Sequence, residues 1–394
     1  MRVLLAFDKF KGSMTAGQAC AAAREVLQQR HGDWQIDEAP LTDGGEGFVQ
    51  ILTHCLGGYT EPRKVTGPLW QPKEALIGWV QLAAVPVSAK SRLDVPDTGK
   101  LAIIEMAQAA GFLDVPADQR NPWHTTTYGV GELIRYAVES GASAILVGIG
   151  GSATNDAGAG ALEALGMKAY DRELQPVTHL SPDQWKRINS LGGLVNYRDQ
   201  FPPIRIACDV RNPLTGERGA TSVFGPQKGL QPDDQPSLER QMDKMGRRLL
   251  GLFGHPLSTH EERLNEPGAG AAGGLGFGLR TAFPQARFVE GFPLVAELLS
   301  LHDKLAAADL VLTGEGRFDS SSLDGKGPLS VLTAARKDAR KLLLCGGLDP
   351  AAVEQAAQTL PGLEAVALTP DDWPIERRLA EGEEALRKQL AALD

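Results

Sequence analysis

The sequence predicts an α/β protein of two domains, and three observations support this prediction. Short runs rich in branched aliphatic residues alternate with longer segments of helical periodicity, which is typical of parallel strands joined by helices. The length of 394 residues exceeds that of one ordinary domain. Glycine contributes 45 residues, gathered in a few short clusters, whereas its usual share is about 7%. These clusters predict places where the backbone makes close approaches.

The periodicity of apolar residues gives the positions of the main elements. Strands are predicted at 2–7, 101–106, 143–149, 203–208, 308–313 and 341–345. Helices are predicted at 15–29, 46–56, 128–140, 156–166, 235–253, 328–340 and 375–392. Thr15 and Gln18 form a capping box, which fixes the start of the first helix. The stretch 62–100 has the composition of antiparallel strands.

Both ends of the chain are predicted to belong to one domain. Each end has the pattern of simple βαβ units, whereas the middle contains the antiparallel stretch and the largest glycine clusters. We therefore predict one domain from residues 1–66 together with 290–394. A second domain, residues 67–289, is inserted into it.

Charge and cysteine content exclude several classes of protein. Forty Lys and Arg residues against 49 Asp and Glu give a net charge of -9, which is unsuited to binding nucleic acid or an anionic membrane surface. The four cysteines are far apart and predict neither a disulfide framework nor a zinc site. No apolar run approaches the ~18 residues of a membrane span, and the apolar start is too short for a signal peptide. We expect a soluble cytoplasmic protein.

Four acidic residues directly follow predicted strands: Asp8, Asp43, Asp209 and Glu315. Ligands of open parallel sheets bind beyond the carboxyl ends of the strands. Each acid alone could be a helix cap or a turn former, but four at such positions are more than chance would place there. Carboxylates in this arrangement could hold Mg²⁺ or accept a proton.

Cationic side chains accompany two of these acids. Lys9 and Lys11 precede the capped helix, and Arg317 and Lys326 follow the strand that ends before Glu315. A lysine at a helix N-terminus opposes the helix dipole by about 0.3–1 kcal/mol unless an anion is bound there. Arginine can bind a phosphate or a carboxylate through two hydrogen bonds. The alternative is that these side chains extend into solvent.

The strongest glycine cluster spans 148–160 and follows the strand predicted at 143–149. Glycines between a strand and a helix expose backbone amides that can bind phosphate at the positive end of the helix. The candidates for anion binding in this cluster are Gly150, Gly151, Ser152, Thr154 and Asn155. The spacing matches neither a P-loop nor a dinucleotide fingerprint. Close packing of the helix on the strand is the alternative.

A second glycine cluster spans 268–278 and carries no charged residue. Its glycines, among them Gly270 and Gly273, suit either tight packing or a pocket for adenine or phosphate lined by backbone. The sequence does not distinguish these two interpretations.

Taken together, the motifs resemble those of the type-1 glycerate kinase family along essentially the whole chain. The matching blocks, in the family's order, are residues 8–13, 43–47, 125–129, 150–156, 208–214, 224–229, 268–276 and 313–317. The resemblance implies transfer of phosphate from ATP, with Mg²⁺, to D-glycerate, giving 2-phospho-D-glycerate and ADP. It also implies a Rossmann- or flavodoxin-like parallel-sheet domain with a second α/β domain inserted, and an active site in the cleft.

The resemblance and the chemistry of phosphoryl transfer, which depends on positioning and charge neutralisation, suggest a role for each candidate. Asp43 or Asp209 accepts the proton of the attacking hydroxyl, and Asp8 and Glu315 hold Mg²⁺. The charges of phosphate and carboxylate are balanced by Lys11, Lys326 and Arg317. Binding of substrate or phosphate falls to Lys9, Ser13, Gly150, Gly151, Ser152, Thr154, Asn155, Arg317, Gly270 and Gly273.

The chain departs from the family's usual residues at Lys9, Trp70 and Asp324, where Ser, Gly and His are common. These departures bear on substrate preference more than on the reaction. Two alternatives stay open: a kinase acting on the 3-hydroxyl or on another hydroxy acid such as tartronate, and a non-catalytic nucleotide or anion sensor. The retained acids argue against a sensor. We expect D-glycerate and ATP as the partners of a monomer or homodimer.

Overall fold

The computed structural model describes residues 1–196, 198–324 and 327–393. The chain divides into two compact units. Unit 1 comprises Met1–Thr42 and Val295–Asp394, and unit 2 comprises Asp43–Leu294. Lys326 therefore lies outside the described residues, and its predicted role is not examined by the structure.

The elements are numbered along the whole chain. The strands are β1 (Arg2–Phe7), β2 (Gln35–Glu38), β3 (Tyr59–Thr66), β4 (Pro72–Gln81), β5 (Lys100–Glu105), β6 (Ala144–Gly148), β7 (Met167–Tyr170), β8 (Pro176–Val177), β9 (Ser190–Gly193), β10 (Ile204–Ala207), β11 (Arg287–Val289), β12 (Leu310–Gly314), β13 (Arg340–Cys345) and β14 (Leu363–Ala367). The helices are α1 (Ala16–Arg30), α2 (Phe48–Cys55), α3 (Val87–Leu93), α4 (Met106–Ala110), α5 (Tyr128–Glu139), α6 (Ala159–Ala164), α7 (Ala220–Phe224), α8 (Gln235–Leu252), α9 (His260–Leu264), α10 (Leu275–Ala282), α11 (Gly291–Leu298), α12 (Leu301–Ala307), α13 (Pro328–Ala334), α14 (Pro350–Thr359), α15 (Ile375–Ala380) and α16 (Gly382–Ala391).

Unit 1 contains a parallel sheet of five strands in the order β14-β13-β12-β1-β2. The central strands β1 and β12 are apolar and almost entirely buried, as expected for strands covered on both faces. The predicted capping box is confirmed, because the Gln18 amide donates to Thr15 Oγ1 at 3.2 Å and the Thr15 amide donates to Gln18 Oε1 at 2.8 Å. Helix α1 therefore begins where the sequence predicts.

Unit 2 contains a mixed sheet of six strands in the order β11-β10-β6-β5-β4-β3. The four strands β11, β10, β6 and β5 are parallel, whereas β4 and β3 pair antiparallel at one edge. The antiparallel character predicted for the stretch 62–100 is thus confirmed up to Gln81, whereas Val87–Leu93 form helix α3. A small sheet, β8-β7-β9, forms from the polar segment after α6. The α/β class with predominantly parallel sheets is confirmed.

The first boundary between the units differs from the predicted one. Residues 43–66 belong to unit 2, because β3 pairs with β4 along its whole length, from Tyr59 opposite Trp79 to Thr66 opposite Pro72. Helix α2 packs against β4 and β5 in the same unit. A βαβ pattern does not specify which sheet its last strand joins, so the sequence placed the boundary too late.

Short elements at sheet edges also differ from the prediction. The short strand predicted at 39–42, directly before Asp43, is not a separate strand; it continues β2, since the Ala39 and Leu41 amides donate to the Leu5 and Phe7 carbonyls, each at 2.8 Å. The edge strands β11 and β14 are short and only partly buried, so they lack a clear apolar period. No helix in the described part of the chain combines the length and apolar character needed to cross a membrane.

Candidate functional site

The carboxyl edge of the unit 1 sheet borders a cavity of about 600 Å³. Its walls come from the segments that directly follow β1, β12, β13 and β14. Six residues predicted from the sequence line it together: Asp8, Lys9, Lys11, Ser13, Glu315 and Arg317. They meet because the carboxyl ends of neighbouring parallel strands lie at the same edge.

Glu315 and Asp8 supply the carboxylates of this cavity. Burial raises the pKa of Glu315 to about 7, and the negative charges of Asp8 and Asp319 add to the rise, against a hydrogen bond from Ser322. Glu315 Oε1 is buried and has no hydrogen-bond partner among the described residues. Asp8 accepts a hydrogen bond from the Lys9 amide at 2.7 Å, and the Lys9 ammonium lies 3.9 Å from the same oxygen. A cation at this position would relieve the repulsion between the carboxylates.

Ser13 lines the cavity but is poorly placed to donate to a phosphate. Its hydroxyl donates to the Leu379 carbonyl at 2.7 Å, so its one hydrogen is engaged within unit 1. This contact fixes the turn before α1 against the last turn of α15. The geometry therefore favours a structural role for Ser13 over the binding role predicted from the sequence.

Arg378 is a cavity residue that the sequence analysis missed. Its Nη2 donates to the Gly346 carbonyl at 2.9 Å, and its Nε donates to Thr369 Oγ1 at 3.1 Å. A Cβ added to Gly347 would collide with the Arg378 guanidinium and would lie 3.5 Å from Nη1 of Arg317. Two guanidinium groups thus converge at a residue without a side chain, an arrangement suited to an anion. The glycine pair that follows β13 was the available sequence signal.

The carboxyl edge of the unit 2 sheet carries a second group of predicted residues. Two glycine turns pack against each other there: the Gly150 amide donates to the Gly44 carbonyl at 3.0 Å, and a Cβ on Gly150 would stand 2.6 Å from the Gly45 Cα. Close packing of backbone on backbone therefore accounts for these glycines. The contact brings the turn that bears Asp43 beside the end of β6.

The two acids of unit 2 have different surroundings. Asp209 Oδ1 accepts a hydrogen bond from the Gly291 amide at 2.8 Å, and its Oδ2 accepts one from the Phe292 amide at 3.1 Å. Asp209 therefore caps the start of α11. Asp43 is exposed at its turn, where its Oδ1 accepts a hydrogen bond from the Gly45 amide at 3.3 Å. Of the two, Asp43 is the more accessible to a substrate hydroxyl.

The turn that follows β6 exposes only part of the predicted anion site. Gly151 is exposed and Gly150 and Ser152 are half-buried, whereas Thr154 and Asn155 are completely buried. Thr154 Oγ1 and Asn155 Oδ1 have no hydrogen-bond partner among the described residues. An unsatisfied buried polar group costs about 1–3 kcal/mol, and such costs are common where a protein binds a ligand.

The helix after this turn does not offer a free positive end, which corrects the prediction from the sequence. Helix α6 begins only at Ala159, and Asp156 already caps it by accepting the Gly158 and Gly160 amides at 3.1 and 3.3 Å. Asp156 also accepts the Thr127 amide and hydroxyl, each at 2.8 Å. Burial raises the pKa of Asp156, and these hydrogen bonds oppose that rise.

Lys228 is a second residue that the sequence analysis did not assign. It is only 3% exposed, and its ammonium donates to Ser152 Oγ at 2.8 Å and to the Thr154 carbonyl at 2.7 Å. Burial lowers the pKa of Lys228 to about 7, and the negative charge of Asp156 opposes that shift. The motif at 224–229, already matched to the family, was the signal that could have identified it.

Gly270 and Gly273 are packing residues. A Cβ on Gly270 would collide with the Pro213 carbonyl, and one on Gly273 would collide with the Thr154 carbonyl. Gly273 also has a φ of +65°, which favours glycine. The second glycine cluster thus packs against the backbone of the turn that contains Thr154. The geometry favours this packing role over the predicted ligand pocket.

Glu105 is a further buried acid at the end of β5, and the sequence analysis overlooked it. It is 1% exposed and accepts the Val49 amide at 3.2 Å, at the start of α2. Burial raises the pKa of Glu105 to about 7, and the charge of Glu46 adds to the rise, against hydrogen bonds from Val49 and Gly47. Glu105 therefore fixes the helix that follows the Asp43 turn.

Metal binding is restricted by the donor set. In residues 1–196, 198–324 and 327–393, no group of three or more His, Cys, Asp or Glu side chains is arranged to hold a metal ion. Mg²⁺ usually needs only one or two carboxylates, because waters and substrate phosphates complete its shell. The Asp8 and Glu315 carboxylates, with the unpartnered Glu315 Oε1, fit that requirement.

The residues that depart from the family pattern have distinct surroundings. Trp70 has a φ of +66°, the left-handed region in which glycine is unstrained. Its ring packs edge-on to His179 at 4.3 Å and near Tyr128 at 5.5 Å, which offsets part of that strain. Lys9 pairs with Asp8 as described above. The Asp324 side chain lies outside the described residues.

Comparison with known proteins identifies relatives along the whole chain. A sequence model of the glycerate kinase family matches residues 3–393. A Bacillus subtilis protein named glycerate kinase is 38% identical over 341 residues, 85% of this chain and 82% of the relative. An Escherichia coli protein named glycerate 2-kinase is 36% identical over 86% of this chain and 82% of the relative. A crystal structure assigned to glycerate kinase 2 of Salmonella typhimurium LT2 superimposes with a TM-score of 0.75 and 34% identity, covering 99% of this chain and 96% of that one.

The buried Glu105 predicts a pH-dependent stability. The folded state keeps the Glu105 proton up to about pH 7, whereas an unfolded chain releases it near pH 4.3. The contribution of Glu105 to the free energy of unfolding is therefore fully present below the pKa of the unfolded chain, and it is lost as the pH rises toward 7. Glu105→Gln removes this titration. The difference in melting temperature between Glu105→Gln and wild type should therefore shift in favour of the variant by about 2–6 °C when the pH is raised from 5 to 8.

Differential scanning calorimetry at both pH values checks this prediction. Glu74→Gln, at an exposed position of β4 in the same sheet, is the control and should show no pH-dependent difference. A Glu105→Gln profile that runs parallel to wild type would contradict it.

Proposed function

The chain belongs to the glycerate kinase family and is a kinase, and we propose that it transfers the terminal phosphoryl group of ATP to D-glycerate. The product is 2-phospho-D-glycerate, with ADP as the second product. Cations and carboxylates at the carboxyl edges of both sheets support this reaction, because phosphoryl transfer depends on charge neutralisation and positioning. The cavity at the carboxyl edge of unit 1 is the observation that carries the proposal.

The unit 1 cavity is proposed to take the nucleotide. Arg317 and Arg378 converge near Gly347, and Lys11 lines the same cavity, which suits the several negative charges of a triphosphate. Ile375 lines the cavity and is 57% exposed. A large, exposed apolar side chain in the lining of this cavity suits the face of an adenine ring.

Asp8 and Glu315 are the residues proposed to hold Mg²⁺ at this cavity. The ion, when bound with the nucleotide, would neutralise charge on the transferred phosphate. Its binding would also stabilise the ionised form of Glu315, whose pKa burial raises to about 7. The Lys9 ammonium lies 3.9 Å from Asp8 Oδ1, so its positive charge lies beside that carboxylate.

Asp43 is proposed to accept the proton of the attacking hydroxyl. Both oxygens of Asp209 already accept backbone hydrogen bonds at α11, so Asp209 positions this segment. Asp43 is exposed on a turn that Gly44 and Gly45 hold against Gly150. Its carboxylate is therefore fixed in place and still accessible to a substrate.

The 2-hydroxyl is proposed as the acceptor on the strength of the family resemblance. The Escherichia coli relative, 36% identical, carries the name glycerate 2-kinase, and the blocks that contain Asp43 and Ser152 are present here. A kinase acting on the 3-hydroxyl would need the substrate turned so that its terminal carbon reaches the same base. No feature of the described residues favours that orientation.

Replacing Asp43 should abolish most turnover. Asp43→Asn keeps the size of the side chain but removes the base, so kcat for ADP formation with D-glycerate should fall by at least ~10²-fold. Glu46→Gln, an exposed acid three residues along the same turn, is the matched control and should stay within about threefold of wild type. A folded Asp43→Asn variant with near wild-type kcat would exclude Asp43 as the base.

Replacing Arg378 should weaken nucleotide binding. Arg378→Met removes a charged donor from the cavity, so KM for ATP should rise by about 10-fold or more, with a smaller change in KM for glycerate. Arg378 itself pairs with Asp371 at 3.3 Å, whereas its neighbour Arg377 pairs with Glu381 at 2.9 Å and lies over the Trp373 ring. Arg377→Met should therefore leave both KM values unchanged. Equal effects of the two substitutions would contradict a phosphate contact by Arg378.

A further inference from the structure

The environment of Lys228 differs from that of a structural lysine. One of its hydrogen bonds goes to a side chain that borders the surface, Ser152, and the other goes to the Thr154 carbonyl beside it. Lys341 is the useful comparison, because it is also buried, at 5% exposure. Its ammonium donates to three backbone carbonyls, those of Arg336, Lys337 and Ala339, at 2.8, 3.3 and 3.1 Å. Lys341 therefore donates to carbonyl groups of the nearby backbone, whereas Lys228 also donates to the side-chain hydroxyl of Ser152.

The bond from Lys228 determines what the Ser152 hydroxyl can do. A hydroxyl has one hydrogen and two lone pairs. Since Ser152 Oγ accepts from the ammonium, its own hydrogen must point elsewhere. No acceptor for that hydrogen is present among the residues that the structure describes, and Ser152 is only half-buried next to the exposed Gly151. A ligand at this turn would therefore meet a hydrogen-bond donor.

Two further observations favour the binding of a ligand at this turn. Thr154 Oγ1, completely buried, has no partner within the described residues, so its hydrogen is unused. The Lys228 ammonium also donates to this segment, at Ser152 Oγ and at the Thr154 carbonyl, and the negative charge of Asp156 favours its protonated form. A buried cation behind an outward-facing hydroxyl favours an anionic ligand.

We propose that Lys228 is a positioning residue that holds the Ser152 hydroxyl as a donor to a negatively charged oxygen of the substrate, the carboxylate of D-glycerate. This inference rests on the proposed function. The carboxylate is favoured over a nucleotide phosphate because the unit 1 cavity already contains Lys11, Arg317 and Arg378 for the phosphates. Lys228 itself does not touch the substrate and acts through Ser152.

A double-mutant cycle tests this coupling. Ser152→Ala and Lys228→Met, singly and together, are compared by calorimetric titration with D-glycerate and, separately, with the nonhydrolysable nucleotide analogue AMPPNP and Mg²⁺. Each single substitution should raise the Kd for D-glycerate by about 10–100-fold. The double variant should be no more than about threefold weaker than either single variant. Binding of AMPPNP should be unchanged in all three.

Two controls separate coupling from loss of structure. Lys341→Met should lower the melting temperature without changing either Kd, because Lys341 serves only backbone carbonyls. Lys228→Leu, which also lacks a hydrogen-bond donor, replaces Lys228→Met in the cycle if the latter does not fold. A rise in KM for D-glycerate much larger than any fall in kcat would agree with a role in binding.

Three results would overturn the inference. Multiplicative effects of the two substitutions would show that Lys228 does not act through Ser152. A weaker AMPPNP complex with unchanged glycerate binding would assign the pair to phosphate instead of carboxylate. An unchanged Kd in every variant would remove the pair from ligand binding altogether. Failure of the proposed function is a separate observation, since wild-type protein would then form no ADP with D-glycerate.

Discussion

Parallel pairing of strands is the constraint on which the remaining features depend. In unit 1, β1 and β12 run side by side in register from Val3 opposite Leu310 to Phe7 opposite Gly314. Their next residues, Asp8 and Glu315, must therefore emerge at the same edge. In unit 2, the parallel alignment of β5, β6 and β10 brings their carboxyl ends to one edge in the same way. Residues distant in sequence become neighbours because hydrogen bonding between strands fixes their register.

The sequence predicted features that depend on local pattern. The long apolar strands, the capping box at Thr15 and the acids at strand ends all follow from short-range signals. The sequence did not predict features that depend on which distant segments contact each other in the fold. Glu105 ends a strand in the same way as the predicted acids, but its role follows from the packing of α2, which no local pattern shows. Lys228 likewise acquires its importance only from contact with Ser152, 76 residues away.

Several of the predicted ligand contacts are instead supports for the site. Gly150 permits the close approach of the Gly45 turn, and Gly273 fits beneath Thr154. Asp209 holds the start of α11. A sequence motif contains both residues that contact the substrate and residues that shape the turn. The two kinds look alike in the sequence and can be distinguished only when the burial of each residue is known. What remains at the surface of unit 2 is a small set, chiefly Asp43 and Ser152.

Identification of the product tests the central claim most directly. Purified protein is incubated with Mg²⁺, ATP and D-glycerate, and the products are identified by phosphorus NMR while ADP is measured in parallel. The account predicts one equivalent of 2-phospho-D-glycerate for each ADP formed, and none without glycerate. A resonance of 3-phosphoglycerate would contradict the assigned hydroxyl, and the absence of any phosphoglycerate would contradict the proposed reaction itself.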